Sequence, residues 1–191
     1  MDCQVVLATE FIDREIKYDG SQLSSHFAYR EFGIKGDSLV SFIGPCDVLI
    51  QSMVDLEDVK ANKTIYSQSM LHFIVEHFHN DLTLCICKQR LLMSLMQEEL
   101  QDSIQGLRIK RVGDDLFDDH FKLTVSIATS SSVSTLIHAA INIVSEGTPL
   151  PTRGLSDYKL NPHAFARSVM NRYVAELQGV QWARSKVRPV L

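Results

Sequence analysis

The chain has 191 residues, of which 45% are hydrophobic and 22% charged, with a formal net charge of −4. That length supports one domain with a sizeable core, and the composition is that of an ordinary globular protein. The charge balance disfavours nucleic acid as a partner. No run approaches the roughly 20 apolar residues of a membrane helix. The cysteines Cys3, Cys46, Cys85 and Cys87 do not suggest a disulfide framework in a chain of this size. With no signal peptide expected, they argue for a reducing, cytoplasmic setting.

In chain order, residues 4–9 form an apolar run predicted as a strand. Tyr18-Asp19-Gly20-Ser21 signals a turn, after which Ser21 is expected to cap a short helix to about Phe32, ended by Gly33. Gly36-Asp37 opens a strand over 38–43 that Gly44-Pro45 should stop. Residues 53–59 read as a helical turn, 61–69 as a polar loop and 70–78 as a second strong strand. Asn80 or Asp81 is placed to cap a helix over 82–100, where Leu84, Cys85, Leu91, Leu92, Leu95 and Met96 keep the helical period and Lys88 interrupts it. Strands follow over 107–112, 122–129 and 133–144, and the Gly147–Pro151 stretch then breaks the pattern. Asn161-Pro162 is a cap followed by a first-turn proline, opening a helix to about Leu177, with Gly179 beyond it. The tail from Arg184 reads as a surface segment. The last three strands have links too short for parallel crossovers. The expected fold is therefore α+β: one domain over 1–191, a mainly antiparallel sheet with helices packed on it.

The chemistry concentrates between Val112 and Ile143. An acidic turn with Asp114, Asp115, Asp118 and Asp119 precedes Lys122, which heads an apolar strand. A lysine in that setting needs partners for its ammonium. On a strand over 122–129, Lys122, Thr124, Ser126 and Ala128 share one face, while Leu123, Val125, Ile127 and Thr129 share the other. Across the Ser130-Ser131-Ser132 hairpin, His138 and Asn142 share a face. Pairing the two polar faces would give a floor of cation, imidazole and amide, able to hold an anionic or carbonyl group. Asp115 is the expected counter-ion of Lys122; Asp118 and Asp119 read as solvated. Plainer readings stand beside these: Lys122 snorkelling from a strand edge, and His138 as a satisfied core histidine. His72, Glu76, His77 and His79 alternate between faces, so no metal is assigned. Cys46 at a strand end suits a nucleophile less well than a small buried residue.

The Asp115-Leu116 turn, the Lys122-Leu123 strand start, and the later strand with His138 and Asn142 resemble the catalytic core of the biotin and lipoate protein ligases and octanoyltransferases. Those proteins share a fold with the class II aminoacyl-tRNA synthetases. The likeness covers about 37–145, with 1–36 an N-terminal extension and 146–191 a C-terminal helix and tail. Over nearly the whole length, Tyr18-Asp19-Gly20, Phe42–Asp47, Val54–Asp58 and the Lys122 segment resemble domain-of-unknown-function family 366 (DUF366). The ligase resemblance implies that Lys122 contacts an acyl carbonyl or adenylate phosphate. It further implies that a small carboxylate, acyl or nucleotide-like molecule is the ligand and that an acyl-carrier protein is the acceptor. The cofactor is left open, and a homodimer is the base-rate expectation.

Two departures bear on the chemistry. The ligases carry a glycine-rich phosphate loop where this chain has residues 60–68, which contain no glycine. That argues against ATP-dependent adenylation, and any phosphate contact there would fall to Lys60 or Lys63. The octanoyltransferases use a cysteine after their asparagine strand, and 145–155 contains none. The expectation is therefore an enzyme or degenerate enzyme of the ligase and acyltransferase superfamily. The alternative is a non-catalytic binding module that keeps the fold.

Overall fold

The structure, a computed structural model, describes residues 7–190. A five-stranded sheet carries the molecule. It contains β1 (Ala8–Ile12), β2 (Ser38–Val48), β3 (Ile65–His77), β7 (Thr124–Ser130) and β8 (Thr135–Asn142), in the order β1-β2-β3-β8-β7. Only β1 and β2 run parallel; the other neighbours are antiparallel. A second, smaller antiparallel sheet is formed by β4 (Ile109–Val112), β5 (Asp115–Asp118) and β6 (Phe121–Lys122). The helices are α1 (Phe27–Phe32), α2 (Leu56–Lys60), α3 (Leu82–Ser103) and α4 (Pro162–Ser185). This is the α+β arrangement expected. Among the described residues no helix is long and apolar enough to cross a membrane.

One face of the large sheet is closed by α3 and α4. Leu71, Phe73, Val75, Ile137, Ala139 and Ile141 meet Leu92, Met96 and Leu100 of α3 and Phe165, Val169 and Tyr173 of α4. Alternation along the strands sends the next residues to the opposite face. There Val40, Phe42, Met70, Ile74 and Ala140 pack with Tyr18 and Phe27 from the chain preceding β2. The long helices begin where the caps predicted: Asp81 Oδ1 accepts from Leu84 N at 2.9 Å and Asn161 Oδ1 from Ala164 N at 2.9 Å.

Several boundaries differ from expectation. Of the predicted strand over 4–9, residues 4–6 lie outside the described residues, while Ala8 and Thr9 open β1, which continues to Ile12. β2 continues through Gly44-Pro45 to Val48, because its register with β3 shifts between Gly44 and Cys46. A bulge leaves one residue unpaired, which accommodates a proline that cannot donate. Gly44 is needed there: a Cβ would lie 2.0 Å from the Ile16 carbonyl oxygen. β3 starts at Ile65, inside the predicted loop, because Ile65, Tyr66 and Ser67 pair with the extended end of β2. The first helix begins at Phe27 rather than after Ser21. His26, at φ 62°, is its cap residue, and its N–H donates to both Glu76 oxygens at 2.8 and 2.9 Å. That contact spans fifty residues of sequence and has no local signature. α4 runs past Leu177 and through Gly179, with its final turns exposed.

The largest correction concerns the acidic stretch. Residues 115–118 form a strand rather than a turn, and Leu116 is fully buried in the main core. Lys122 belongs to β6 of the small sheet, not to the strand paired with β8. Leu123 and Thr124 are both buried, so strict alternation fails between them. Leu123 joins the helix-side core, while the Thr124 hydroxyl accepts from Leu116 N at 2.8 Å. That break turns the expected face assignment over. The Thr124 and Ser126 hydroxyls serve the backbone of 114–116, and Ser126 also accepts from Gln89 of α3 at 2.8 Å. Val125 and Ile127, opposite Ala140 and His138, take the other face.

Candidate functional site

The open face of the sheet forms the floor of a cleft of about 330 Å³. Its walls come from four places: the turn around Tyr18 and Gly20, the segment from Ser52 through Ser67, the start of the small sheet, and a strap over 148–152. The strap is fixed by backbone pairing on both sides of Lys122. Lys122 N donates to Pro151 O at 3.0 Å and Arg153 N to Lys122 O at 3.2 Å. Farther on, Leu155 N donates to Asn142 O at 2.8 Å.

The cleft brings together Asp115, Lys122, His138, Asn142 and Lys63. Lys122 Nζ lies 2.8 Å from Asp115 Oδ2, with both side chains about one-quarter exposed at 26% and 25%. Burial raises the Asp115 carboxyl, and the Lys122 charge beside it only partly offsets that. Lys63 stands at the entrance, 3.7 Å from Asp58 Oδ1. Lys60 is exposed at the end of α2 and is not part of the cleft.

His138 and Asn142 leave β8 toward the cleft, as their two-residue period requires, and each is 4% exposed. The His138 Nε2 lies 3.1 Å from His72 Nδ1, and His72 Nε2 lies 3.1 Å from the Gly44 carbonyl oxygen. Tyr18 stacks on His138 with ring centroids 3.7 Å apart and an interplanar angle of 14°. Phe42 stacks on His72 at 5.0 Å. Burial lowers His72 to about 4, and burial followed by the neighbouring His72 pushes His138 well below the ordinary histidine range. Both rings are therefore neutral at pH 7. His138 is thus a networked histidine that also reaches the cleft, which joins the two sequence readings.

The remaining candidates resolve as follows. Asp114 is held by Arg90 at 3.3 Å and Gln89 at 3.2 Å. Asp118 is not solvated: Arg153 pairs with it and the Tyr158 hydroxyl donates to it at 2.7 Å. Asp119 is exposed, as expected. Cys46 is fully buried, and burial followed by the Asp47 charge pushes its thiol up to about 12. It lines the cleft as a small packing residue rather than an activated nucleophile. His72 and Glu76 occupy one face of β3 and His77 the other, in separate hydrogen-bond networks.

Sequence reasoning missed Tyr18 and Ser67. Tyr18 sits in a turn signal, and only the parallel bridge to Cys46 brings its ring over His138. Ser67 is 2% exposed and lines the cleft, and its hydroxyl has no hydrogen-bond partner among the described residues. The alternation Ile65-Tyr66-Ser67-Gln68 was the available signal for both the strand and the inward serine.

Comparison with known proteins agrees with this architecture. A protein of unknown function from Pyrococcus horikoshi superposes with a TM-score of 0.90 at 39% identity, covering 97% of this chain and 100% of that one. The uncharacterized protein MJ0805 of Methanocaldococcus jannaschii is 31% identical over 188 residues, 95% of this chain and 84% of the relative. Ta0514 of T. acidophilum, described as a lipoate protein ligase with bound lipoic acid, superposes with a TM-score of 0.62 at 15% identity, over 90% of this chain and 86% of that one. The fold is that of the lipoate and biotin protein ligases. The sequence profile of "Domain of unknown function (DUF366)" matches residues 7–188, and the chain belongs to that family.

Proposed function

We propose that the cleft binds a small carboxylate, acyl or nucleotide-like ligand over Lys122, and that the protein acts on it as a ligase-like acyltransferase. The observation that carries this reading is the Lys122–Asp115 pair at 2.8 Å on the wall of a cleft of about 330 Å³. The pairing pre-positions the ammonium, so an incoming anion meets a fixed donor. The ligase fold supports the same reading, since Ta0514 is described with lipoic acid bound. An acyl-carrier protein is the acceptor such a transferase requires, and the reaction belongs in the cytoplasm. A homodimer is the assembly this reading carries.

The wall that would face a nucleotide phosphate speaks for transfer without adenylation. Residues 60–68 contain no glycine, and Ile65 through Gln68 belong to β3 instead of forming a loop of inward N–H groups. Purified protein is expected to release no pyrophosphate from ATP with biotin, lipoate or octanoate. Acid-dependent release would show that Lys63 or Lys60 replaces the backbone donors. The same feature favours the second reading, a binding module that keeps the fold without catalysis.

The direct test is Lys122→Met, which keeps the packed stem and removes the charge. It should fold with an unchanged thermal midpoint and lose ligand affinity by about one to two powers of ten, as expected for a charge-assisted contact of about 1.5–3 kcal/mol. Octanoate binding measured by calorimetry on both proteins reads this. Equal affinity would make Lys122 structural.

A further inference from the structure

Below the Lys122–Asp115 pair the floor of the cleft is polar and uncharged. Ser67, His138 and Asn142 are 2%, 4% and 4% exposed, against about one-quarter for Lys122 and Asp115. The Ser67 hydroxyl is buried with no hydrogen-bond partner among the described residues, and His138 and Asn142 line the same cleft. Leaving a buried polar group unpaired costs free energy, so an unpaired hydroxyl in one cavity with an imidazole and an amide points to a ligand that pairs it.

The direction of pairing at His138 follows from the chain of contacts behind it. The Gly44 carbonyl can only accept, so His72 Nε2 carries the proton. Its neutral ring then presents Nδ1 as an acceptor, and His138 Nε2–H must donate to it. That leaves His138 Nδ1 as a bare lone pair, held in orientation by the Tyr18 ring stacked at 3.7 Å. A carbonyl 28 residues upstream of His72 thus dictates what the cleft floor asks of its ligand.

We propose that the floor of the cleft is a subsite for an uncharged hydrogen-bond donor, an amide N–H or a hydroxyl at the inner end of the ligand. His138 Nδ1 is its acceptor, and Ser67 and Asn142 pair the polar group beside it. This deepens the reading of a ligand site over Lys122 and rests on it for the cleft being a binding site. A ligand ending in bare hydrocarbon would leave the Ser67 hydroxyl unpaired, so it should bind, but more weakly than one carrying a polar group at that end.

The test uses pentanamide, which carries the N–H donor and no carboxylate, and N,N-dimethylpentanamide, which keeps the carbonyl and loses the donor. Each is titrated into the whole protein while the imidazole ¹⁵N resonances are followed. In the free protein His138 Nδ1 should be unprotonated and Nε2 protonated. Pentanamide should shift the Nδ1 resonance and bind about three- to tenfold more tightly than its dimethyl derivative, the range of one neutral hydrogen bond. Ser67→Ala, which removes only a buried hydroxyl, should weaken pentanamide by a similar factor. Equal binding of the two amides, no binding of either, or a protonated Nδ1 in the free protein would overturn the subsite. Octanoate titrated against wild type and Lys122→Met reads the anion anchor separately, so loss of that reading and loss of this one are distinguishable.

Discussion

His77 and His72 leave β3 on opposite faces of the sheet. His77 Nδ1–H donates to Asp37 Oδ2 at 2.8 Å, and its Nε2 accepts from the Tyr173 hydroxyl at 3.1 Å. Both ring nitrogens are used, and the network closes between β2's entry and α4. His72 uses one nitrogen on the Gly44 carbonyl and passes the other to His138, which lines the cleft. Burial lowers the pKa of both histidines. The helix-side network ties β2 and β3 to α4, while the cleft-side network ends at a residue that lines the cleft. Equal burial therefore has different surroundings on the two faces: a tie between packed elements on one, the lining of a cleft on the other.

The comparison breaks most sharply if core and floor respond alike to truncation. Leu71→Ala, in the fully buried helix-side core, should cost about 2–5 kcal/mol in urea unfolding. Ser67→Ala, in the equally buried floor, should leave stability unchanged or raise it, because it removes a hydroxyl with no protein partner. A loss above about 1 kcal/mol for Ser67→Ala would show that the serine is packing.

Acid should weaken the fold through the neutral histidines. His72 is lowered to about 4 in the folded protein, from an ordinary 6.5. Between those values the unfolded chain binds the proton and the folded chain does not. Stability is thus fully present above 6.5 and falls as pH drops toward 4, by about 1.4 kcal/mol per pH unit for this one group. Urea midpoints at stepwise pH should give a shallower slope for His72→Gln than for wild type. An unchanged slope would mean the His72 ring is not protected as its burial requires.

A smaller effect tests the closed network. Tyr173→Phe removes the donor to His77 Nε2 while keeping the ring that packs α4 on the sheet. About 1–3 kcal/mol should be lost in thermal or urea unfolding, with octanoate affinity untouched. A change in ligand affinity would show that the two faces communicate through β3.

Much of the architecture was legible from local patterns. The caps at Asp81 and Asn161, the helical period of α3 and the serine hairpin before β8 each rest on contacts within a few residues. The partnership of Asp115 with Lys122 and the shared face of His138 and Asn142 were legible for the same reason: hairpin neighbours and a two-residue period set them. Where the local rule had an exception, the reading failed. Two consecutive buried residues, Leu123 and Thr124, moved Lys122 into another sheet and put Val125 and Ile127 where Ser126 was expected.

What the chain determined by itself was the fold class, the order of its elements and the candidate residues, because periodicity and turn chemistry are properties of neighbours. What only the tertiary structure decided was the company those residues keep. Tyr18 over His138, Gly44 behind His72 and Ser67 in one cleft with Lys122 are brought together across long stretches of chain. No spacing encodes a contact made by a bulge in one strand and the close approach of another, so the polarity of the cleft floor is visible only once the sheet is assembled.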